Sequence, residues 1–286
     1  MNYAIITPAK NEEQYIRFTL ESMLMQTYKP TRWVIIDDNS MDRTTDIVKE
    51  YAKKYPWIFL MRSNQIEKER RGGSKVVNLF YQAYESLNDL EFEIVAKIDA
   101  DLTLPKDYFE KVINAIQVDE KIGLCGGYCV IEKKGIYVEE KTAEFHVRGP
   151  LKVYRKAALE DIGGLISFYN WDGLDQYYLM YKGWKIQPLR IAVIHHRPTS
   201  TLINRGFLNS FKIGGYYYQQ GHNVLLAIPQ AIIFATRTHP LILSGLYFLM
   251  GYMVYLILRK EIVVPKDVKI FINKFQLKRL RKVFYI

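Results

Sequence analysis

The sequence predicts an α/β fold with a mainly parallel central sheet and flanking helices, followed by a C-terminal hydrophobic helical region. Three observations carry this reading. Apolar runs of strand length alternate with stretches of helical periodicity over the first hundred residues, the pattern of βαβ units. Three of those runs end in clusters of Asp, Asn or Glu. Long uncharged stretches appear only after residue 222, ahead of a basic tail.

Tyr3–Thr7 is the first strand-like run. Asn11 then offers an N-cap with Gln14 at the capping-box position. From there Tyr15/Ile16, Thr19/Leu20, Met23/Leu24 and Thr27 recur at helical spacing. Trp33–Ile36 is a second strand, ending in Asp37-Asp38-Asn39-Ser40. A helix follows from Thr44 to Tyr55, with Ile47, Tyr51 and Tyr55 on one face. Trp57–Met61 is a third strand, and residues 65–73 form a charged, Gly-containing loop with Arg70 and Arg71, a candidate mobile lid. Val76 to Leu87 reads as a helix and Glu93–Ile98 as a fourth strand.

Composition narrows the function. The chain of 286 residues carries a net charge of +10, but residues 259–286 hold nine Lys/Arg against two acids. The basic surplus therefore belongs to the tail, and a nucleic-acid groove across the body is not expected. The two cysteines, Cys125 and Cys129, lie in LCGGYCV with no second ligand pair at zinc spacing. They read as reduced thiols, partly buried in a strand. MNYAIITP enters the first strand without a basic leader, so the N-terminal part is expected in the cytosol.

In a sheet of this kind ligands bind beyond the carboxyl ends of the strands. Pro8–Glu12, Asp37–Ser40 and Asp99–Asp101 lie at such ends and are expected to converge on one crevice. The last cluster, in KIDADL, sets two carboxylates one residue apart. In an extended segment residues two apart project the same way, so both point into one small volume, and the repulsion between them calls for a cation. The first turn, PAKNEE, lacks G-x-G-x-x-G, which disfavours a dinucleotide-binding dehydrogenase, and no P-loop motif occurs, which excludes a P-loop NTPase. A hard divalent ion shared between carboxylate and phosphate oxygens fits the acid pair.

YAIITPAKNEE, VIIDDNSMDRT, GGSKVVN and KIDADLTLP, in this order, resemble the inverting family 2 glycosyltransferases of GT-A, Rossmann-like fold. KVYRKAALEDIGGL, WDGLDQYYLMYKGWKI and VIHHRPTS extend the resemblance to about residue 220. The chain has Trp171-Asp172 where the family usually has Glu-Asp, and Asp172 precedes Gly183 of the Gly-Trp pair by eleven residues, the family's spacing for its catalytic Asp.

The resemblance implies a glycosyltransferase of the hexosyltransferase class, using a UDP- or GDP-sugar donor with Mn²⁺ or Mg²⁺. Pro8, Asn11 and Glu12 would line the base and ribose pocket. Asp38 would accept a hydrogen bond from the nucleobase, with Lys75 also on the donor. Asp99 would lie near the ribose or the metal, and Asp101 would ligate the metal. His195 and His196 at the next strand end are further candidates for metal contact, and Arg197 for the diphosphate. Asp172, or alternatively Asp175, would be the base. Two rival readings are a sugar-phosphate nucleotidyltransferase, disfavoured by PAKNEE, and a catalytically silent nucleotide-sugar binding or scaffold module.

A catalytic domain over residues 1–222 is therefore expected, with a membrane-associated region over 223–286. Pro240–Leu258 is uncharged and as a single helix would span roughly 28 Å, close to a bilayer core. Asn223–Thr236 is also uncharged, and the two would form a hairpin or lie in the interface, the alternative being a pair of buried helices packed on the catalytic domain. Val268, Phe271, Ile272 and Phe275 recur among Lys266, Lys269, Lys274 and Lys278, as in a basic amphipathic helix on an anionic surface. The expected place is the cytoplasmic face of a membrane, acting on a glycan or lipid-linked acceptor.

Overall fold

The computed structural model describes residues 1–64, 73–140, 142–197 and 206–284. The chain divides into two compact units, Met1–Pro198 and Thr199–Ile286. The division falls earlier than the expected 222/223, because helix α7 (Phe207–Gln219) packs with the later helices of the second unit.

The first unit opens with β1 (Tyr3–Ala9), α1 (Ile16–Leu24), β2 (Arg32–Asp37), α2 (Thr44–Lys54), β3 (Ile58–Arg62), α3 (Ser74–Glu85) and β4 (Ile94–Ile98). It continues with β5 (Leu102–Thr103), α4 (Tyr108–Val118), β6 (Ile122–Lys133), β7 (Ile136–Glu139), β8 (Leu151–Arg155), α5 (Lys156–Asp161), α6 (Trp171–Tyr181) and β9 (Lys185–His195). The sheet order is β3-β2-β1-β4-β8-β6-β9-β5, with β7 paired to β6. β1 to β4 run parallel, β8 is antiparallel to both its neighbours, and β9 returns parallel to β6.

Alternation along the strands divides the core into two layers. Ile5, Trp33, Ile35, Ala96 and Ile98 face a cluster with α1, α2 and α4. Ala4, Ile6, Val34, Ile36 and Val95 face the other side with α3, α5 and α6. Each fully buried aliphatic side chain contributes about 1.5–3 kcal/mol. Cys125 and Cys129 sit wholly inside the first layer rather than partly exposed. Burial pushes both thiols up to about 12, which keeps them protonated and inert.

The expected cap at Asn11 is not formed. Asn11 has φ 52° and α1 begins only at Ile16. Its side-chain oxygen instead accepts the Met41 N–H at 2.9 Å, tying the β1 turn to the β2 turn. The acid pair also departs from expectation. β4 ends at Ile98, so Asp99–Asp101 form a turn in which strand alternation no longer sets side-chain direction.

The second unit holds α7, α8 (Val224–Arg237), α9 (Leu243–Ile257) and α10 (Lys266–Phe284). Asn223 caps α8 by accepting the Leu226 N–H at 3.1 Å. α7 and α9 cross closely: a Cβ at Gly214 would lie 1.9 Å from the Phe248 carbonyl oxygen. The uncharged stretch Pro240–Leu258 is not one continuous helix. α9 has 15 residues, about 22 Å of rise, and no helix among the described residues is long and apolar enough to cross a membrane. The crossing-hairpin form of the expectation therefore fails on helix length.

Candidate active site

Asp37 and Asp38, adjacent in sequence, do different work. Asp37, at the end of β2, accepts the Ser40 N–H at 3.2 Å and the Thr45 hydroxyl at 2.9 Å, a turn-building role. Asp38 Oδ2 faces two buried cations, Lys75 Nζ at 2.7 Å and Lys10 Nζ at 3.3 Å. Its Oδ1 is buried without a hydrogen-bond partner among the described residues, a waiting acceptor of the kind a nucleobase N–H satisfies. Pro8 lies on β1 opposite Ile36 of β2. Glu12 accepts from Arg197 Nη2 at 2.8 Å, and the same guanidinium nitrogen donates to the Asn11 carbonyl at 3.3 Å. The expected crevice members Pro8, Asn11, Glu12, Asp38, Lys75 and Arg197 thus gather around the ends of β1 and β2. The proposed lid residues Arg70 and Arg71 lie outside the described residues.

Asp99 and Asp101 each have their own cation. Asp99 pairs with the ammonium of Lys97, which also donates to the Gly149 carbonyl at 3.1 Å. Asp101 is 3% exposed, with Oδ2 3.7 Å from His195 Nε2. His195 Nδ1 meets Glu140 Oε2 at 2.8 Å, and Glu140 in turn meets Arg148 Nη1 at 2.5 Å. Burial disfavours a charged His195, but the carboxylates of Asp101 and Glu140 outweigh it and push the imidazole up to about 9. Burial likewise works against the Glu140 carboxylate, and His195 and Arg148 pull it below its ordinary range.

Asp101 Oδ1 is buried with no hydrogen-bond partner among the described residues. An orphaned carboxylate oxygen beside an imidazole suits a hard or borderline divalent ion, so Mn²⁺ or Mg²⁺ fits. Cys129, Glu140 and His195 also bring ligand atoms within 4.8 Å of one another. A protonated thiol and an arginine-bound carboxylate are poor ligands, which leaves Asp101 with His195 as the better pair; His195 would ligate through Nε2 only on giving up that nitrogen's proton, with Nδ1–H kept on Glu140. His196 is turned away. Its ring stacks on Phe18 at 4.4 Å and its Nε2 lies 2.8 Å from the Thr103 hydroxyl. The two adjacent histidines therefore part company where β9 ends at His195.

Asp172 and Asp175 stand one turn apart on α6. The Asp172 side chain is 31% exposed, in the first turn, where the helix end favours negative charge. Gly149 makes room for it: a Cβ there would lie 3.0 Å from Asp172 Oδ2. Asp175 has no exposed side-chain surface and is held by Lys152 Nζ at 2.5 Å and by the Tyr154 hydroxyl. Burial raises the Asp175 pKa and lowers that of Lys152. Lys152 also donates to the Asp172 carbonyl at 2.8 Å. Trp171 packs over both ammonium groups, 5.6 Å from Lys97 Nζ and 5.5 Å from Lys152 Nζ. With Asp99 and Asp175 already paired to these lysines, the position needs an aromatic face rather than a third acid.

Lys10, Lys97, Glu140, His146, Arg148, Lys152 and Gln176 join the site without having been singled out in the sequence. A lysine inside an apolar strand, as in IVAKI and LKVYR, was the available signal, since an isolated buried ammonium is too costly to persist unpaired. Glu140 and Arg148 carry no comparable mark.

The chain is similar over 208 residues to the glycosyltransferase GlyA of Streptococcus pneumoniae, 26% identical, covering 72% of this chain and 27% of that protein. Its fold is similar to Staphylococcus aureus TarS residues 1–349 in complex with UDP-GlcNAc. The TM-score is 0.55 at 19% identity, over 76% of this chain and 66% of that one. It is also similar to GalNAc-T7 with UDP, GalNAc and Mn²⁺, with a TM-score of 0.55 at 13% identity, over 70% of this chain and 44% of that one. These structures share the GT-A fold. The chain spans roughly half the length or less of the curated relatives it matches. The family model for glycosyl transferase family 2 matches residues 4–167, more than half of the chain, and the chain belongs to glycosyl transferase family 2.

Proposed function

We propose that the chain transfers a sugar from a nucleoside-diphosphate sugar to an acceptor hydroxyl with inversion, with Asp172 as general base. The observation that carries this is the contrast on α6: Asp172 is open to solvent, while Asp175 is sealed against Lys152 and Tyr154. The acceptor O–H proton passes to Asp172, the oxygen's electron pair forms the bond to the anomeric carbon, and the bond from that carbon to the diphosphate breaks with its pair on the phosphate oxygen. Attack opposite the leaving group inverts the configuration without a covalent enzyme intermediate. Asp38, Lys10 and Lys75 hold the nucleoside end, and Arg197 stands near the diphosphate. Asp101 with His195 would hold Mn²⁺ or Mg²⁺, which when bound neutralises charge on the departing diphosphate. UDP-sugars are the first donors to test, since TarS and GalNAc-T7 were solved with UDP-GlcNAc and with UDP. Hydrolysis of UDP-α-GlcNAc followed by proton NMR should give the β anomer first; α first would overturn inversion.

The reading extends to place. The acceptor is a glycan or lipid-linked saccharide at the cytoplasmic face of a membrane, and the second unit seats the chain there in the plane of one leaflet. Leu243, Leu246, Met250, Met253 and Ile257 form an exposed apolar stripe at helical spacing along α9, and Leu225, Ile228 and Ile232 form another along α8. The tail beyond them carries a net +7. Apolar stripes beside a basic helix are the chemistry of an anionic bilayer surface.

A further inference from the structure

Gln176 is fixed by a donor that cannot accept. The Val147 backbone N–H donates to Gln176 Oε1 at 2.9 Å, which fixes the amide oxygen, and the amide nitrogen lies 3.4 Å from the Val147 carbonyl. That nitrogen donates to the Asp172 carbonyl at 2.5 Å and meets His146 Nδ1 at 2.6 Å. An amide NH₂ only donates, so Nδ1 is the accepting nitrogen of the ring. Burial, together with the charges of Lys152 and Arg148, lowers the His146 pKa to about 4 despite Asp172. The ring is neutral near pH 7, and its single proton sits on Nε2. Nε2 stands 3.9 Å from Asp172 Oδ2, within one small side-chain adjustment of a hydrogen bond, as catalytic contacts often are before substrate binds. Oδ2 is also the oxygen packed against Gly149.

We propose that His146, its tautomer locked by Gln176, is a positioning residue that presents an N–H to Asp172 Oδ2 and leaves Oδ1 to the acceptor hydroxyl. The arrangement rests on Asp172 being the base. It denies His146 any role as a competing base, because its accepting nitrogen is occupied, and it fixes which carboxylate oxygen receives the proton. His146→Leu removes the donor. His146→Gln restores an N–H at about the reach of imidazole Nε2.

The test uses the full chain with UDP-GlcNAc and Mn²⁺, following UDP release, together with ¹⁵N spectra of the histidine rings without substrate. His146→Leu should lose roughly 10–100-fold in kcat, the range typical of lost supporting hydrogen bonds, with the donor KM unchanged. His146→Gln should recover most of that loss. The His146 ring should show its proton on Nε2, and Gln176→Leu should release part of the population to the Nδ1–H form. A wild-type kcat in His146→Leu, a rise in donor KM in place of the kcat loss, or an Nδ1–H ring in the unmutated protein would each overturn the proposal. Asp172→Asn separates the two claims. If it keeps UDP release, the base assignment fails. If it is inactive while His146→Leu is normal, only the positioning role fails.

Discussion

Lys152 Nζ lies 2.5 Å from Asp175 Oδ2 with neither side chain exposed to solvent. This pair joins β8 to α6 directly beneath Asp172, and Tyr154 adds a hydroxyl to the same carboxylate. Removing one member of a buried pair leaves the other charge without compensation. Asp175→Ala is expected to cost about 3–5 kcal/mol of stability, measured by chemical denaturation. The double variant Lys152→Met with Asp175→Leu should recover much of that, because no buried charge remains. Equal losses in the single and double variants would contradict this account of the pair.

The metal fit at Asp101 rests on its orphaned Oδ1. EDTA should abolish transfer, and Mn²⁺ or Mg²⁺ should restore it. Asp101→Asn should be inactive at every metal concentration with the fold intact by circular dichroism. Full activity in EDTA would remove the metal from the account.

Donor binding should depend on the two lysines that meet Asp38. Lys75→Ala is expected to weaken UDP binding by calorimetry, and Asp38→Ala to weaken it further while lowering stability, since it leaves Lys10 and Lys75 buried without their shared carboxylate. Unchanged UDP affinity in both variants would place the nucleotide elsewhere.

Stability of the second unit should fall in mild acid. His222 is buried against the Tyr217 ring, 3.9 Å between centroids, and burial lowers its pKa to about 3. In the unfolded chain an ordinary histidine titrates near 6.5. The unfolded state therefore binds a proton that the folded state refuses. The contribution is complete above about pH 6.5 and is lost as pH falls toward 3, at up to about 1.4 kcal/mol per pH unit. His222→Phe should flatten that slope in urea titrations at several pH values.

The proposed membrane seating has a direct assay. The full chain should sediment with vesicles containing anionic phosphatidylglycerol and release at high salt only in part, because the apolar stripes of α8 and α9 remain engaged. Leu246→Glu with Met250→Glu should abolish binding. Equal recovery in the supernatant with and without vesicles would contradict it.

Much of the fold was legible because strand alternation is a strong physical signal. Ile5 and Ile6, or Val34 and Ile35, must face opposite layers, and both layers are filled. The Asp37-Asp38 pair was visible as a site but not its division of labour, which depends on Thr45 and Lys75 approaching from separate helices. Asp172 and Asp175 were both legible, but their contrast was not, because it is set by Lys152 and Tyr154 across the sheet. Asn11 looked like a cap from its local spacing, yet the tertiary contact to Met41 claimed its side chain. The α9 stretch was too apolar to miss, and its helical length was decided by where the turn after α8 ends.

Donor binding and transfer must come apart at a single carboxylate. Measured on the full chain with UDP-GlcNAc and Mn²⁺, Asp172→Asn should bind UDP-GlcNAc with wild-type affinity and lower turnover by about 10²–10⁴-fold, the usual contribution of a general base. Turnover near the wild-type rate in Asp172→Asn, with loss of it instead in a folded Asp175→Asn, would contradict the assignment of Asp172 as the base.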